Sequence, residues 1–545
     1  MSPQGKNTQY GTTDRQMFLE KAARSIAELQ PKIATLAETV VFLEVLGYTN
    51  KMASDHGFQD LADLSRHVLQ FTRYYDKKFA DPAKPLLPIP SIARRTAEAF
   101  GVAYPWVTSY AILLIFGVSL WLAQIMPLDM TTAFVVGIYS GLLISGGMSS
   151  FGRLFSFYDG QANLSQVRRI LKRFYLLLET ILLFVSLGIF SSAYLLKIPY
   201  WLISISLVSA ATLSVHMASY MIIYNRRKIR VIIYSYSAGL AALLSVYFLT
   251  ANFFPVAAFR YFYALGAALA VLSIPSVYYH YKIFRAEKTE KRKENEPNFY
   301  SPVSSIRNTI NSRFSVQFWE ILPFFVNGML FFCILFGDRV ISWIYNPVHY
   351  VNGISFPMVF NTTYHAGADS ALIALFPSLI IQYAMLSPLH AELHNLSLDS
   401  RISEMKRVQQ FLSAKYKKMI VTTIVATIVV VGLMILLEPS LMIILRGSTI
   451  SSRIFDIAAI SNVFMAIFAG NGMFLTFMNK IKTLCLVGAI GATFVAGAGL
   501  WLGMSGFENI VYAYLGETII LATLTSVIVA RNLSRVASIQ FARFV

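Results

Sequence analysis

Residues 321–345 read ILPFFVNGMLFFCILFGDRVISWIY, an apolar run that is long enough to cross a bilayer as a helix. An acid and a base, Asp338 and Arg339, interrupt the run near its end. A charge inside a membrane-spanning helix costs roughly 2.5–3.5 kcal/mol on insertion scales and normally faces a bundle interior or a watery cavity. The pair therefore predicts a functional site. The alternative is that both side chains lie at headgroup depth and only anchor the helix.

The composition extends the membrane prediction to the whole chain. Of its 545 residues, 56% are hydrophobic and 14% are charged, and the mean hydropathy is +0.57. This balance differs from that of soluble globular proteins and predicts a polytopic membrane protein. Cys333 and Cys485 both lie in apolar segments, which favours neither a disulfide framework nor a metal cluster. Residues 1–16 lack the apolar core of a signal peptide, so we expect the N-terminus on the side of synthesis.

A small helical extension, predicted to be cytoplasmic, occupies residues 1–90. Apolar residues recur there at the spacing of a helix with one buried face, at Phe58, Leu61, Leu64, Val68 and Phe71. A second such pattern spans residues 17–46, where Pro31 is expected to kink or divide the helix. A proline-rich linker at 81–90 ends the region. The apolar stripes must pack against each other, the membrane bundle, a lipid surface or a partner protein.

About twelve apolar segments of spanning length follow, so the fold class is predicted to be an all-α polytopic membrane protein. The segments form two lobes of six helices, at 91–284 and 305–545, with a charged linker at 285–304 between them. The predicted spans are 107–124, 133–150, 174–194, 200–223, 231–249, 262–281, 321–343, 368–386, 420–437, 457–477, 484–502 and 510–530.

Basic residues fall at every second connection between these spans. They are Arg94 and Arg95, then the basic residues within 168–173, 225–230, 288–293, 401–418, 480–482 and 531–543. The other loops are poor in Lys and Arg, which is the positive-inside pattern and predicts that both termini are cytoplasmic. The net charge of +18 is largely explained by these loops and does not require nucleic-acid binding. We therefore expect a multi-pass protein of the cytoplasmic (inner) membrane.

The two halves of the membrane region echo each other in sequence. SIARRTAEAF at 91–100 precedes the first span, and SIRNTINSRF at 305–314 precedes the seventh. A Phe-Gly pair follows inside each of those spans, at 116–117 and 336–337. Six spans separate the two copies, so they share one orientation, which is typical of transporters built from parallel repeats.

Further polar residues are stranded in apolar context and are candidates for a substrate or ion path. Asn327 precedes Asp338 by about three helical turns, so both can lie on the same face. His365 and Asp369 are four residues apart and would share a helix face, as a proton-sensitive pair or as an exposed helix start with a capping acid. Glu517 is embedded in YLGETIIL and could help to conduct a cation or hydrogen-bond across helices.

These features resemble the multidrug/oligosaccharidyl-lipid/polysaccharide (MOP) flippase superfamily, whose MATE-like members have two six-helix lobes. The seventh and eighth spans, FFVNGMLFFCILFGDRVISWIYNP and FNTTYHAGADSALIALFPSLIIQYAMLSPLHAELHN, are most similar to the membrane subunit of the Pel-type exopolysaccharide exporter. The resemblance covers residues 91–545, and the extension is additional to it. It implies a central cavity between two lobes whose exposure alternates.

The resemblance implies a function in the export of a polysaccharide or a lipid-linked glycan across the cytoplasmic membrane. Transport would proceed by alternating access or through a conduit in a synthase complex. Expected partners are membrane lipids, the glycan substrate and a cytoplasmic synthase subunit that docks on the extension; nucleic acid is not expected. The alternatives are an ion-coupled multidrug antiporter and a membrane glycosyltransferase.

An enzyme is the less favoured interpretation of the sequence. No Walker-type GxxxxGK[ST] occurs, and neither HExxH nor a clustered set of Cys and His is present. The segment HAELH at 390–394 places two histidines four residues apart, but a metal site needs a third ligand. We therefore expect no catalytic residues, no metal and no cofactor.

Overall fold

The structure is a computed structural model and describes residues 8–29, 36–75, 88–116, 126–160, 164–294, 314–348, 350–351, 354–399, 405–444 and 447–535. Within these ranges it is helical, apart from one hairpin of two-residue strands. The chain divides into two compact units. One comprises 1–95, 385–419 and 528–545, and the other comprises 96–384 and 420–527. The described helices confirm the all-α prediction.

The N-terminal extension forms four helices. They are α1 (Thr8–Leu29), α2 (Leu36–Val45), α3 (Asn50–Asp55) and α4 (Leu61–Tyr75). Thr49 caps α3, because its side chain accepts a hydrogen bond from the Met52 backbone N–H at 3.2 Å. Pro31, the predicted kink, lies outside the described residues.

The apolar stripe of α4 is buried within the extension itself. Leu64 and Val68 are fully buried and share one apolar cluster with Ile26 of α1 and Leu43 of α2. The sequence predicted that the stripe packs against the extension, the membrane bundle, lipid or a partner. In the structure it packs against the other helices of the extension. Docking of a partner on the extension stays a prediction.

We expect Leu64→Asp combined with Val68→Asp to unfold the extension, because each substitution would bury an unpaired charge at a cost of several kcal/mol. The measurement is limited proteolysis of the purified chain, with cleavage expected inside residues 8–75. Gln70→Asp on the same helix is the control, because Gln70 is exposed. Equal protease resistance in the double variant and in Gln70→Asp would contradict the packing described here.

The first half of the membrane region contains seven helices. They are α5 (Ile92–Phe116), α6 (Leu128–Met148), α7 (Phe151–Gly160), α8 (Leu164–Leu195), α9 (Tyr200–Asn225), α10 (Ile229–Leu249) and α11 (Ala257–Glu294). The last of these continues through ten residues of the predicted charged linker. Lys, Arg and Glu are good helix formers, so a helix that leaves the membrane here has no local reason to end.

The second half begins with α12 (Phe314–Ile344) and the hairpin β1 (Tyr350–Val351) and β2 (Ile354–Ser355). The predicted eighth span is interrupted: α13 (Thr362–Ala371) is followed by a 3₁₀ turn (Leu372–Ala374) and α14 (Leu375–Leu386). The remaining helices are α15 (Leu389–Asp399), α16 (Met405–Ile444), α17 (Thr449–Phe477), α18 (Ile481–Gly503) and α19 (Ile510–Ser534).

Eleven helical segments within the described ranges are long and apolar enough to cross a membrane. They correspond to the second through twelfth predicted spans. The first predicted span, 107–124, continues from α5 into residues that the structure does not describe. The limits of the two lobes and of the linker stay a prediction.

Glycine residues permit two close helix crossings. Gly137 on α6 faces the carbonyl oxygen of Ser206 on α9, so this glycine permits a close contact within the first half. A second crossing joins α6 to α12, where a Cβ on Gly328 would lie 2.0 Å from the carbonyl oxygen of Gly146. This second crossing, which the sequence did not predict, connects the two halves through backbone atoms.

Candidate functional site

A cluster of charged side chains lies between α12 and α13. Asp338 and Arg339 come from α12, near its C-terminal end, and His365 and Asp369 come from α13. Asn361 starts α13, because its side chain accepts a hydrogen bond from the Tyr364 backbone N–H at 3.0 Å. The asparagine cap therefore fixes where the helix begins and which side chains face α12.

Arg339 is the centre of the cluster and is fully buried. Its Nε donates to Asp369 Oδ1 at 2.7 Å, and its Nη1 donates to Asp338 Oδ1 at 2.9 Å. Two backbone carbonyls accept further bonds, that of Leu335 from Nη1 at 2.9 Å and that of Ala368 from Nη2 at 2.8 Å. The guanidinium thus pairs with both carboxylates and ties the two helices together.

Asp338 is also fully buried, and both of its carboxylate oxygens are bonded. The second oxygen accepts from the Tyr364 hydroxyl at 2.7 Å, while the first accepts from Arg339. Neither side chain of the Asp338–Arg339 pair reaches a surface, so the alternative of an anchor at headgroup depth is wrong. The structure places Asp338 inside the helix packing.

The hydrogen bonds of His365 assign its tautomer. The indole N–H of Trp343 donates to His365 Nε2 at 2.9 Å, so Nε2 must accept and the ring proton lies on Nδ1. Nδ1 lies 2.9 Å from Asp369 Oδ2 and donates to it. His365 is fully buried, which excludes the exposed helix start considered above.

An aromatic stack encloses the histidine side of the cluster. Tyr139 of α6 stacks on Trp343 with ring centroids 5.4 Å apart and on Phe336 at 4.8 Å. Phe360 stacks on the His365 ring at 4.2 Å. Sequence analysis missed these contributors and the Tyr364 hydroxyl. Tyr364 could have been recognised, because it directly precedes His365 in the quoted segment. Tyr139 lies far away in the sequence, and nothing there linked it to the cluster.

Two other predicted site residues lie outside this hydrogen-bonded cluster. Glu517 on α19 is fully buried, and both of its carboxylate oxygens lack a hydrogen-bond partner in the part of the chain that the structure describes. Tyr514, one turn earlier on α19, lies against the Arg339 guanidinium at 5.9 Å. Asn327 is half-buried on α12, and no hydrogen bond joins its side chain to the cluster in the described ranges.

The HAELH segment belongs to a separate ion-pair group on α15. Glu392 accepts from the Lys415 ammonium at 2.7 Å and lies 3.9 Å from the Arg95 guanidinium. This carboxylate therefore has two cationic partners. No group of three His, Cys, Asp or Glu side chains that could hold a metal ion occurs among the residues that the structure describes.

Comparison of the whole chain with solved structures identifies the fold. A MATE in complex with MaL6 aligns with a TM-score of 0.54 and 12% identity, over 81% of this chain and 96% of that one. Inward-facing and outward-facing structures of a multidrug resistance MATE family transporter of the MOP superfamily align with TM-scores of 0.53 and 0.51. Their identities are 10% and 11%, and they cover 83% and 81% of this chain and 97% and 95% of those chains.

The fold is that of the MATE transporters. At these identities the likeness establishes the architecture, and it confirms the MATE-like fold expected from the sequence. No protein-family model and no curated protein sequence matches the chain.

This MATE fold has a partly open cavity of about 980 Å³ in the first half of the membrane region. Helices α5, α6, α9, α10 and α11 line it, mostly with aliphatic and aromatic side chains that include Phe134, Trp201 and Phe262. Hydroxyl groups in the wall are used locally: Ser204 and Ser209 both donate to carbonyls of their own helix. The cavity therefore offers an apolar surface with few polar contacts.

Proposed function

We propose that the chain is a membrane transporter that moves a lipid-linked glycan or a polysaccharide across the cytoplasmic membrane by alternating access. The observation that carries this proposal is the 980 Å³ apolar cavity within a MATE fold. Ligand pockets of about 300–1,000 Å³ are typical for small molecules and cofactors. An apolar wall suits the hydrocarbon part of an amphiphile, so we favour the lipid-linked glycan over the free polysaccharide.

One polar pair in the cavity wall could orient such a substrate. His216 Nε2 lies 3.0 Å from the Tyr236 hydroxyl, and both residues line the cavity. Within the described ranges His216 Nδ1 has no hydrogen-bond partner, although it is buried. A buried polar atom without a partner is costly, so a ligand hydroxyl or amide that pairs with it would gain a specific contact.

Ion-coupled multidrug antiport is the second candidate function. The apolar cavity suits lipophilic drugs as well, and one structural neighbour is described as a multidrug resistance transporter. The buried, unpartnered carboxyl of Glu517 supports coupling, because gain or loss of a proton there would change a charge inside the helix packing.

The N-terminal extension and the membrane orientation belong to the same proposal. A cytoplasmic synthase subunit that docks on the extension would contact its polar outer surface, because the apolar stripe of α4 is buried. The positive-inside distribution of loop charges supports cytoplasmic termini in the inner membrane.

Filling the cavity should block transport. Gly266 lines the cavity, and a Cβ built there meets nothing within 4 Å, so Gly266→Phe places a ring in the cavity without a backbone clash. We expect at least a tenfold loss of flipping of a fluorescent lipid-linked oligosaccharide in proteoliposomes. Gly188→Phe is the matched control, because Gly188 is also unobstructed and does not line the cavity.

The same proteoliposomes separate the two candidate functions. Flipping of the oligosaccharide lipid without a pH or sodium gradient supports the glycan transporter. Gradient-driven exchange of a lipophilic cationic dye, with no flipping of the lipid, supports the antiporter. Unchanged activity of both kinds in Gly266→Phe would contradict a transport role for this cavity.

A further inference from the structure

A second, polar pocket lies at the C-terminal ends of α7 and α9 and beside residues 278–282 of α11, apart from the cavity and the charge cluster. Its volume is about 410 Å³, and its lining residues are Asp159, Arg226, Lys228, Tyr278, Tyr279 and Lys282. Three of the six side chains are cationic and one is anionic. The pocket therefore carries a net positive charge and has phenol groups as additional hydrogen-bond donors.

One of the cations is held in place by the acid. The Arg226 guanidinium donates to Asp159 through Nε at 3.2 Å and through Nη2 at 2.8 Å. This two-point contact fixes Arg226 at the wall of the pocket. The ammonium groups of Lys228 and Lys282 are exposed, and neither has an ion-pair partner among the residues that the structure describes. Two cations are therefore available to an anion.

The position of the pocket indicates where the anion would come from. Lys228 lies in the short turn between α9 and α10, and Lys282 lies three residues before the charged run RAEKTEKRKE at 285–294, where the apolar part of α11 ends. Tyr278 and Tyr281 are each 57% exposed. Exposed Tyr and basic side chains at the end of a span mark the depth of the lipid headgroups.

We propose that this pocket binds the phosphate of an anionic membrane lipid through Lys228 and Lys282, with Arg226 and the two tyrosines as further donors. Lysine contacts phosphate as a mobile point charge, and basic pockets between spans accommodate anionic headgroups. The volume is more than ten times the roughly 30 Å³ that one water occupies in the liquid, so the pocket can also hold the glycerol that follows the phosphate.

Native mass spectrometry of the full-length protein in detergent tests this assignment, with phosphatidylglycerol as the probe and phosphatidylcholine as the zwitterionic comparison. We expect Lys228→Gln and Lys282→Gln each to weaken phosphatidylglycerol binding about fivefold, and the double variant to weaken it about 25-fold. Arg230→Gln is the control, because Arg230 is an exposed cation near the same turn that does not line the pocket. It should change binding less than twofold.

Asp159→Asn separates an electrostatic role from a structural one. It removes the only acid of the pocket and frees Arg226 for the lipid, so phosphatidylglycerol binding should become tighter, while loss of a merely structural contact would not tighten it. Wild-type binding in the double lysine variant, or equal binding of the two lipids, would overturn the proposal. Displacement of the lipid by inorganic phosphate at equal concentration would overturn the proposal that the bound phosphate belongs to a lipid. The pocket would then be a site for a soluble phosphate.

Discussion

Replacing Arg339 by Met is expected to lower the free energy of unfolding by about 3–5 kcal/mol, because it leaves two buried carboxylates without their cation. Asp338 and Asp369 both bond to this guanidinium at 2.9 Å or less, and neither is more than 4% exposed. The Met side chain is unbranched like that of Arg and fills most of the same space with apolar atoms. The loss of stability therefore measures the missing charge and not a large cavity. Denaturant titration in detergent micelles measures the change.

Variants of the partner residues rank the contributions within the cluster. Asp338→Asn should cost less than Arg339→Met, because Arg339 keeps Asp369 as an ion-pair partner. Adding Asp338→Asn to Arg339→Met should recover part of the loss, because one of the two uncompensated carboxylates is removed. We also expect Asp338→Asn to impair transport in protein that still inserts and folds.

Arg453→Met is the control for the loss of an arginine. Arg453 is exposed, and its guanidinium donates to the Tyr512 hydroxyl at 2.9 Å. An exposed contact of this kind contributes little to stability, so we expect no measurable change. If Arg339→Met and Arg453→Met were equally stable, the cluster would not be the desolvated ion-pair network described here.

Gly328→Ala is expected to cost about 3 kcal/mol and to abolish transport, although it adds a single methyl group. The new Cβ would lie 2.0 Å from the carbonyl oxygen of Gly146 and 2.5 Å from its carbon. Both obstacles are backbone atoms of α6, which cannot rotate away as a side chain can. The two helices would have to separate along their contact, which connects the two halves of the membrane region.

Two other glycine substitutions are matched to this one. Gly337→Ala lies on the same helix, but its Cβ meets only a Val495 methyl group at 3.2 Å, so we expect a small loss of stability. Gly188→Ala meets nothing within 4 Å and should be neutral or slightly stabilising, because alanine is the better helix former. The measurements are the melting temperature and the transport rate in proteoliposomes of all three variants. Wild-type stability and transport in Gly328→Ala would show that α6 and α12 are not in backbone contact.

The local features of this fold could be predicted from the sequence. Hydropathy located the spans from the second to the twelfth, and four-residue spacing placed His365 and Asp369 on one helix face. These predictions needed only distances along one helix. The interruption of the eighth span at Leu372–Ala374 was not predicted, although Pro377 follows it by three residues. Proline has no backbone N–H to bond the carbonyl of Ile373, four residues earlier.

Contacts between distant segments could not be predicted in the same way. Tyr139 reaches the cluster because α6 packs on α12, and hydropathy does not say which spans are neighbours. The stripe of α4 was recognised as a buried face, but its partners Ile26 and Leu43 depend on how the extension folds back on itself. Asn327 was placed on the face of Asp338 by helix geometry alone, and the cluster formed instead from residues of α13.

The helix α12 carries both the Gly146–Gly328 crossing and the Arg339 ion pairs, eleven residues or about 16 Å apart. At Gly328 it touches α6 through backbone atoms, a contact without directional bonds. At Arg339 it is bonded to α13 through a side chain and a backbone carbonyl. A rotation of α12 about the glycine contact would therefore break its bonds to α13 unless α13 moved with it.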